Sequence, residues 1–301
     1  MGTGGDGGGS IRLPAAYTGL VGMKGTFGRI PRGPKAAIGQ LAAVKGTLAR
    51  SVRDAARWYD VTAGYDARDP FSLPRHEGWE SGLGTRGVKG LRVAVAPDLG
   101  NAVVHPEVVK VVREAADVLV DAAGLKRVDI TVNVPENGLA WARAGLPSLI
   151  ADLQDYWPEC EQDLTFEIHF AMKAAPQYRA EHGAAVEKFR VEMNEAMADL
   201  FEQVDIVLCA TSPMEPFKAE GPMPYSVGEV SVNPYNAGAL TIPANLSGYP
   251  AISIPAGLSS SGLPIGLQAY ARRHEDALLL DLAQVMERVR PWPLVAPGAP
   301  I

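Results

Sequence analysis

The sequence has little cysteine, no long apolar run and no excess of basic residues, and each shortage argues against a class of protein. Two cysteines among 301 residues are too few for a disulfide framework, and no short spacing with histidine predicts a structural zinc site. No apolar run approaches the ~18 residues that a membrane span needs. A net charge of −6 argues against a protein that binds nucleic acid by neutralising its phosphates.

Recognisable histidine and targeting patterns are also missing. The five histidines are scattered, without HExxH or another paired spacing, so the sequence predicts neither a metal site nor a metal cofactor. The N-terminus has no basic segment followed by an apolar one, so no signal peptide is predicted. Apolar residues make up 47% and charged residues 21% of the chain, as in soluble globular proteins. We therefore expect a cytoplasmic protein.

Glycine and proline, by contrast, are abundant. The chain has 32 glycines and 24 prolines, which favours many tight turns, as in a large α/β enzyme with long connections. The first 34 residues read mostly as glycine, small residues and turns. Because a globular fold rarely starts with a glycine tract that leads straight into dense sequence, we expect the chain to begin within a domain.

One stretch of the chain predicts a βαβ unit. Residues 91–96 read as a strand, and Pro106 begins a helix that should end near Gly124. Residues 128–134 alternate apolar and polar side chains, which predicts a strand with one buried face. This order favours a parallel pair of strands joined by a helical crossover.

The other predicted elements flank this unit. Ser51 should cap a helix that runs to about Ala63, with Asp54 at the third helical position. The continuous apolar run 205–210 predicts a central strand buried on both faces. The rest comprises a mainly helical region over 135–201, two strands over 250–255 and 263–270 joined by the turn SSSG, and a closing helix over 274–289.

The segment GGGSIRLP, which ends its glycine run at Ser10, is the most informative for chemistry. Three consecutive glycines, Gly7, Gly8 and Gly9, let successive amide groups converge on an anion or a developing oxyanion. A hydroxyl at the end of such a nest suits a nucleophile, because attack places negative charge where the N–H groups point. The alternative is that Ser10 is only a turn residue.

This segment and its continuation resemble a known family. The run GTGGDGGGSIRLPAAYTGLVGMKGTFGRIPR resembles the amidase signature, and VDIVLCATSP and NLSGYPAISIPAGLSSSGLPIGLQAYARRHEDALLLDLA resemble later blocks of the same family. The resemblance covers nearly the whole chain and is weakest between about 100 and 200. It implies an α/β fold with a large mixed sheet covered by helices on both faces. It also implies one amidase-signature domain over 1–301, with its N-terminal part absent and a variable helical substrate-pocket region at about 135–230.

The resemblance also implies roles for particular residues. The family uses a Ser–Ser–Lys triad, in which Ser10 matches the nucleophile. Gly7, Gly8, Gly9 and the amide of Ser10 match the backbone oxyanion hole. Asp6 and Arg12 match a charged pair that supports the nucleophile loop.

Two members of that triad have no match in this sequence. The bridging serine and the lysine lie upstream of the nucleophile in the family, and the nine residues before Ser10 contain neither. Lys24 matches a lysine of the signature that is not the base. Since a serine hydroxyl without a base is a weak nucleophile, we expect the chain by itself to have little activity.

Weaker patterns favour structural interpretations. Residues 2–7 satisfy G-x-G-x-x-G, but no strand precedes them and Pro14 soon follows, so we predict no dinucleotide cofactor. A Ser–His–Asp triad is disfavoured because Arg12 replaces the second glycine of G-x-S-x-G. An aromatic-rich patch either lines an acyl pocket or, as we favour, packs in the core; it comprises Tyr156, Trp157, Phe166, His169, Phe170 and Met172.

The function predicted from these observations is an amidase that acts on a small-molecule amide through an acyl-enzyme on Ser10. Cofactors, nucleic acid and membrane are not expected, and a homodimer stays open. One alternative is the glutaminase component of a tRNA-dependent amidotransferase, which belongs to the same family. The other is a non-catalytic amidase-like fragment.

Overall fold

The computed structural model describes residues 1–34 and 41–295, and a mixed eight-stranded sheet dominates this part of the chain. The strands are β1 (Gly2–Asp6), β2 (Val21–Lys24), β3 (Val44–Ala49), β4 (Arg92–Val95), β5 (Lys126–Arg127), β6 (Ile206–Ala210), β7 (Ser226–Val227), β8 (Val230–Ser231), β9 (Ala251–Leu258) and β10 (Pro264–Ala271). The sheet has the order β1-β3-β2-β9-β10-β6-β4-β5, and β7 pairs with β8 in a separate ribbon.

Helices cover both faces of the sheet, so the predicted α/β class is confirmed. They are α1 (Arg12–Thr18), α2 (Val52–Thr62), α3 (Pro106–Ala123), α4 (Gly138–Leu153), α5 (Phe166–Ala174), α6 (Ala180–Gln203), α7 (Ile242–Ser247) and α8 (Asp276–Val289). Helix α1 packs on β2, β9 and β10, while α8 contacts both α2 and α3, and all three of these helices contact the sheet.

Local sequence signals set several helix ends as predicted. The Ser51 hydroxyl accepts a hydrogen bond from the Asp54 amide and caps α2. His105 caps α3 by accepting from the Glu107 amide, and Pro106 occupies the first helical position, where no N–H is needed. Gly124 ends α3 in the left-handed conformation, with φ of 61°.

The predicted βαβ unit exists, but its second strand is short. β4 pairs in parallel with β5 on one side and with β6 on the other, and α3 makes the crossover. The prediction of a strand over 128–134 is wrong, because only Lys126–Arg127 form a strand. The Val128 amide still donates to Val93 O of β4, but beyond it Val132 and Val134 bury their side chains and the Val134 amide donates to Leu99 O in the loop after β4, so the chain leaves the sheet.

The core lies where the sequence places its central strands. All five residues of β6 are buried, and β9 and β10 form the expected antiparallel pair. Helix α8 buries Leu279, Leu282, Ala283 and Met286, and α6 buries Met193, Met197 and Leu200. The range 135–230 contains β6 as well as α4, α5 and α6, so its helical part ends at Gln203.

The opening glycine tract is more regular than its composition suggests. Gly2–Asp6 form β1, which pairs in register with β3 along its whole length. Glycine fits here because the backbone is closely approached: a Cβ on Gly4 would lie 3.1 Å from the Ile11 side chain, which is itself fully buried. β1 therefore leads a straight backbone to the loop that carries Ser10.

The aromatic-rich patch does not pack in the core as predicted. Tyr156 is 64% exposed, and Phe166 and Phe170 are each 66% exposed. The two phenylalanines stack on each other along one face of α5, with ring centroids 6.4 Å apart. Met172 alone of the patch is buried, because it faces the opposite side of α5. In the described part of the chain, no helix has the length and apolar character needed to cross a membrane.

Lys24, on β2, is a buried cation within the sheet. Its ammonium group donates to the carbonyl oxygens of Gly25, at 3.1 Å, and Tyr249, at 2.8 Å. Burial is the main reason, and repulsion by Arg12 the next, that the pKa of Lys24 falls from an ordinary 10.5 to about 7. The charged form of this lysine therefore opposes folding.

Replacing Lys24 with methionine should flatten the rise of stability with pH. Between the folded pKa of about 7 and the unfolded value of 10.5, the unfolded chain binds more protons, so the free energy of unfolding increases as pH rises. From about pH 7 to about pH 9 this contribution should reach roughly 2 kcal/mol and vanish in Lys24→Met. Urea unfolding across that range measures it.

The matched control is Lys45→Met, because Lys45 lies on the adjacent strand β3 with its side chain exposed. This variant should keep the pH dependence of the unchanged chain. Equal slopes for the unchanged chain and Lys24→Met would show that Lys24 keeps its ordinary proton affinity in the folded protein.

Candidate active site

Ser10 lies where β1 gives way to α1, at the surface of the molecule. The strand ends at Asp6, the glycines form the bend, and α1 begins at Arg12. The Ser10 side chain is exposed, whereas Gly9 and Ile11 on either side are buried. The backbone around Ser10 is therefore fixed from inside while the hydroxyl faces outward.

Asp6 and Arg12 form a fully buried ion pair across this bend. Arg12 Nε donates to Asp6 Oδ2 at 2.9 Å and Nη2 donates to Oδ1 at 3.0 Å, in the two-pronged geometry that favours arginine. Burial alone would raise the pKa of Asp6, but the charge and hydrogen bonds of Arg12 outweigh it and lower that pKa to about 2. The pair ties the end of β1 to the start of α1.

Two neutral side chains that the sequence analysis did not single out complete this cluster. Gln268 Oε1, on β10, accepts from Arg12 Nη1 at 2.8 Å. Asn245, on α7, accepts from Arg12 Nη2 at 2.7 Å and donates to the Asp6 carboxylate at 2.9 Å. The sequence held one signal for them: Asn245 is a polar amide within the mainly apolar segment TIPANLSG, and Gln268 is one within PIGLQAYA. Buried polar groups need hydrogen-bond partners, so such residues are candidates for a buried polar cluster.

Three donors hold the carbonyl groups of the glycine bend from outside. Trp141 Nε1 donates to Gly7 O at 2.6 Å, and Thr241 Oγ1 donates to Gly8 O at 2.6 Å. The amide of Leu13 donates to Gly9 O at 2.8 Å. Because C=O and N–H point in opposite directions across a planar trans peptide, these bonds aim the amides of Gly8, Gly9 and Ser10 the other way.

The amides of the bend differ in what they contact. Gly9 N–H donates to Asp6 Oδ1 at 2.7 Å, so this member of the expected oxyanion hole already has an acceptor. The amides of Gly7, Gly8 and Ser10 donate no hydrogen bond to any residue that the structure describes. The bend that ends at Ser10 thus has three amides without an acceptor among the described residues.

Glycine is required at two positions of the bend. Gly9 has a φ of +130°, and a Cβ there would lie 2.4 Å from Thr241 Oγ1. A Cβ on Gly8 would lie 2.7 Å from the Trp141 ring. Side chains at these positions would displace the very groups that hold the loop.

No side chain among residues 1–34 and 41–295 makes a hydrogen bond to Ser10 Oγ, so none of them is in position to act as its base by direct contact. The buried ammonium group of Lys24 donates to backbone carbonyls instead, and His105 caps a helix. Two cavities, of about 670 and 230 Å³, are lined by other residues and by none from 6 to 12.

Sequence comparison finds relatives that match almost the whole chain. The chain is 32% identical over 296 residues to an acylamidase of Rhodococcus erythropolis, and the match covers 96% of this chain and 61% of that protein. It is 31% identical over 319 residues to a glutamyl-tRNA(Gln) amidotransferase subunit of Thermosynechococcus vestitus, covering 96% and 64%.

A solved structure agrees with the sequence comparison. The fold superposes on that of a bacterial aryl acylamidase of the amidase signature enzymes with a TM-score of 0.88 and 28% identity, covering 99% of this chain and 64% of that one. The chain therefore spans somewhat less than two thirds of the length of these relatives. The family model named Amidase matches residues 1–280, and the chain accordingly belongs to the amidase family.

Proposed function

We propose that this chain carries the nucleophile and oxyanion-binding loop of a serine amidase. Ser10 Oγ bonds to the carbonyl carbon of an amide while its proton passes to a base. The tetrahedral adduct then collapses as the C–N bond breaks. The departing amine or ammonia takes up the proton, and the acyl group remains on Ser10 as an ester. Water hydrolyses that ester and returns the serine.

The observation that carries this proposal is the set of amides beside Ser10. Their carbonyl ends are fixed by Trp141, Thr241 and Leu13, so their N–H groups are oriented before any substrate arrives. Such preorganised donors stabilise the negative charge that develops on the carbonyl oxygen during attack, and each is worth roughly 3–4 kcal/mol. Among them we assign the amides of Gly8 and Ser10 to the oxyanion, and Gly9 to support through Asp6. We add the amide of Gly7, whose peptide carbonyl, Asp6 O, accepts from Asn245 Nδ2 at 2.8 Å.

The described residues do not supply the base that should accept the proton of Ser10. In the amidase-signature pattern a lysine activates the nucleophile through a second serine, and both precede the nucleophile in sequence. Since no described side chain is hydrogen-bonded to Ser10 Oγ, we propose that residues 1–301 alone hydrolyse amides slowly or not at all.

The substrate class we propose is an acyl amide of a small amine. Both the acylamidase relative and the aryl acylamidase structure point to it. No metal or organic cofactor takes part in the proposed steps.

Adding a base should reveal the activity. A chimera that joins the upstream segment of the acylamidase relative to residue 1 should hydrolyse an aryl acylamide at least about 1,000-fold faster than the chain alone, because a triad contributes more than an oxyanion hole by itself. Ser10→Ala in the chimera should abolish this gain. Release of the arylamine, followed by absorbance, measures both.

Ser81→Ala is the control for this experiment, because Ser81 is an exposed serine in the loop after α2. It should leave the rate unchanged. A fluorophosphonate probe that labels Ser10 in the chimera would support the hydrolase, whereas absence of labelling in a folded chimera would favour a non-catalytic fragment. Equal activity of the short chain and the chimera would disprove the need for an added base.

A glutaminase is the second candidate, because glutamyl-tRNA(Gln) amidotransferase components are also relatives at about the same identity as the acylamidase. Release of ammonia from glutamine by the chimera, without turnover of aryl acylamides, would favour it. The reverse pattern would favour the acylamidase.

Breaking the buried ion pair should both destabilise the fold and disturb the loop that carries Ser10. Arg12→Met leaves the Asp6 carboxylate buried without its cation, which should lower the free energy of unfolding by about 3–5 kcal/mol. Fluorophosphonate labelling of the chimera at Ser10 should fall as the loop loses its anchor. Urea unfolding and the labelling rate test the two effects.

Arg127→Met provides the comparison, because Arg127 pairs with Asp117 at the surface, where both side chains are about half exposed. That change should cost less than about 1 kcal/mol and leave labelling intact. Similar losses for the two variants would show that the buried pair is not a special support of the loop.

A further inference from the structure

Helix α4 contacts the nucleophile loop from outside the amidase signature. The indole of Trp141 lies against Gly8, where a single methyl group would be too close, and its Nε1 donates to Gly7 O at 2.6 Å. Trp141 is half-buried in the segment where the resemblance to the family is loosest. The contact is therefore a feature of this chain that its signature motif does not specify.

The consequence of this contact follows from peptide geometry. The carbonyl of Gly7 and the amide of Gly8 belong to one planar peptide, so fixing the first fixes the direction of the second. An indole has one N–H donor and no acceptor, so Nε1–H is the only group through which Trp141 can form a hydrogen bond with Gly7 O. The Gly8 amide then points away from Trp141 Nε1 and has no acceptor among the described residues.

The start of α4, which carries Trp141, is anchored by contacts with residues 233–241. Asn137, which is buried, donates from Nδ2 to Ala239 O at 3.1 Å. Gly138 lies against Tyr235, and a Cβ there would be 2.1 Å from the tyrosine Cβ. The same segment, 233–241, ends in Thr241, which holds the next carbonyl of the loop.

We propose that Trp141 is a positioning residue of the oxyanion hole, which sets the Gly8 amide toward the developing charge through the Gly7 carbonyl. This inference rests on the proposed serine mechanism. Without the indole N–H, the peptide between Gly7 and Gly8 can rotate, and the amide loses its fixed direction. The loss falls on the transition state, because the oxyanion forms only there.

Trp141→Phe tests the proposal, since phenylalanine keeps an aromatic ring but removes the N–H donor. In the chimera that carries the base, kcat should fall about 10- to 100-fold while KM changes less than about threefold, a fraction of what loss of a direct oxyanion donor costs.

The control is Trp292→Phe, because Trp292 is also half-buried and also donates to a backbone carbonyl, Arg50 O, at 2.7 Å. Arg50 follows the end of β3 that pairs with Gly2, which is the end of β1 away from the loop. This variant should keep both kcat and KM.

Two further readouts keep this test separate from that of the serine mechanism. If Ser10→Ala abolishes turnover but Trp141→Phe leaves kcat unchanged, the positioning role is wrong and the mechanism stands. The second readout is made on the chain of 301 residues and does not require enzymatic activity. The carbonyl ¹³C resonance of Gly7 should move upfield in Trp141→Phe and stay in place in Trp292→Phe. An unmoved Gly7 resonance would overturn the inference whether or not any form is an enzyme.

Discussion

The buried ion pair between Asp6 and Arg12 is the constraint on which the site depends. It closes the bend between β1 and α1, and its remaining hydrogen-bonding capacity is met by Gln268 on β10 and Asn245 on α7. A buried pair of charges is stable only when such partners are present, because desolvation would otherwise exceed the attraction. The loop is thus attached to the middle of the sheet through four side chains.

The glycine bend acts through its backbone carbonyl and amide groups and not through side chains. Its three carbonyls are each held by a donor from a different element, namely α1, α4 and the turn before α7. Because the C=O and N–H groups of a trans peptide point in opposite directions, fixing the carbonyls orients the amides. Asp6 takes one of those amides, that of Gly9, and so serves both the ion pair and the shape of the bend.

Helix α4 links this loop to the helical middle of the chain. Helix α4 contributes Trp141 to the loop, while its neighbour α5 leaves stacked phenylalanines exposed to solvent. The sequence favoured core packing for those aromatic residues, because their spacing and composition are the same whether a helix is covered or not. Only the placement of α5 at the edge of the fold decides their exposure.

The sequence by itself determined the elements whose signals are local. The Ser51 cap, Pro106 and Gly124 fix helix ends through their own backbone chemistry, and the continuous apolar run at 205–210 predicted the buried strand β6. The signature also indicated Ser10, its glycines and the Asp6–Arg12 pair. Tertiary structure alone decided that the chain after Arg127 leaves the sheet, and that the amide of Gly9 belongs to Asp6. It also brought Asn245, Gln268, Thr241 and Trp141 to the loop, because contacts across 130 to 260 residues depend on packing that no local pattern records.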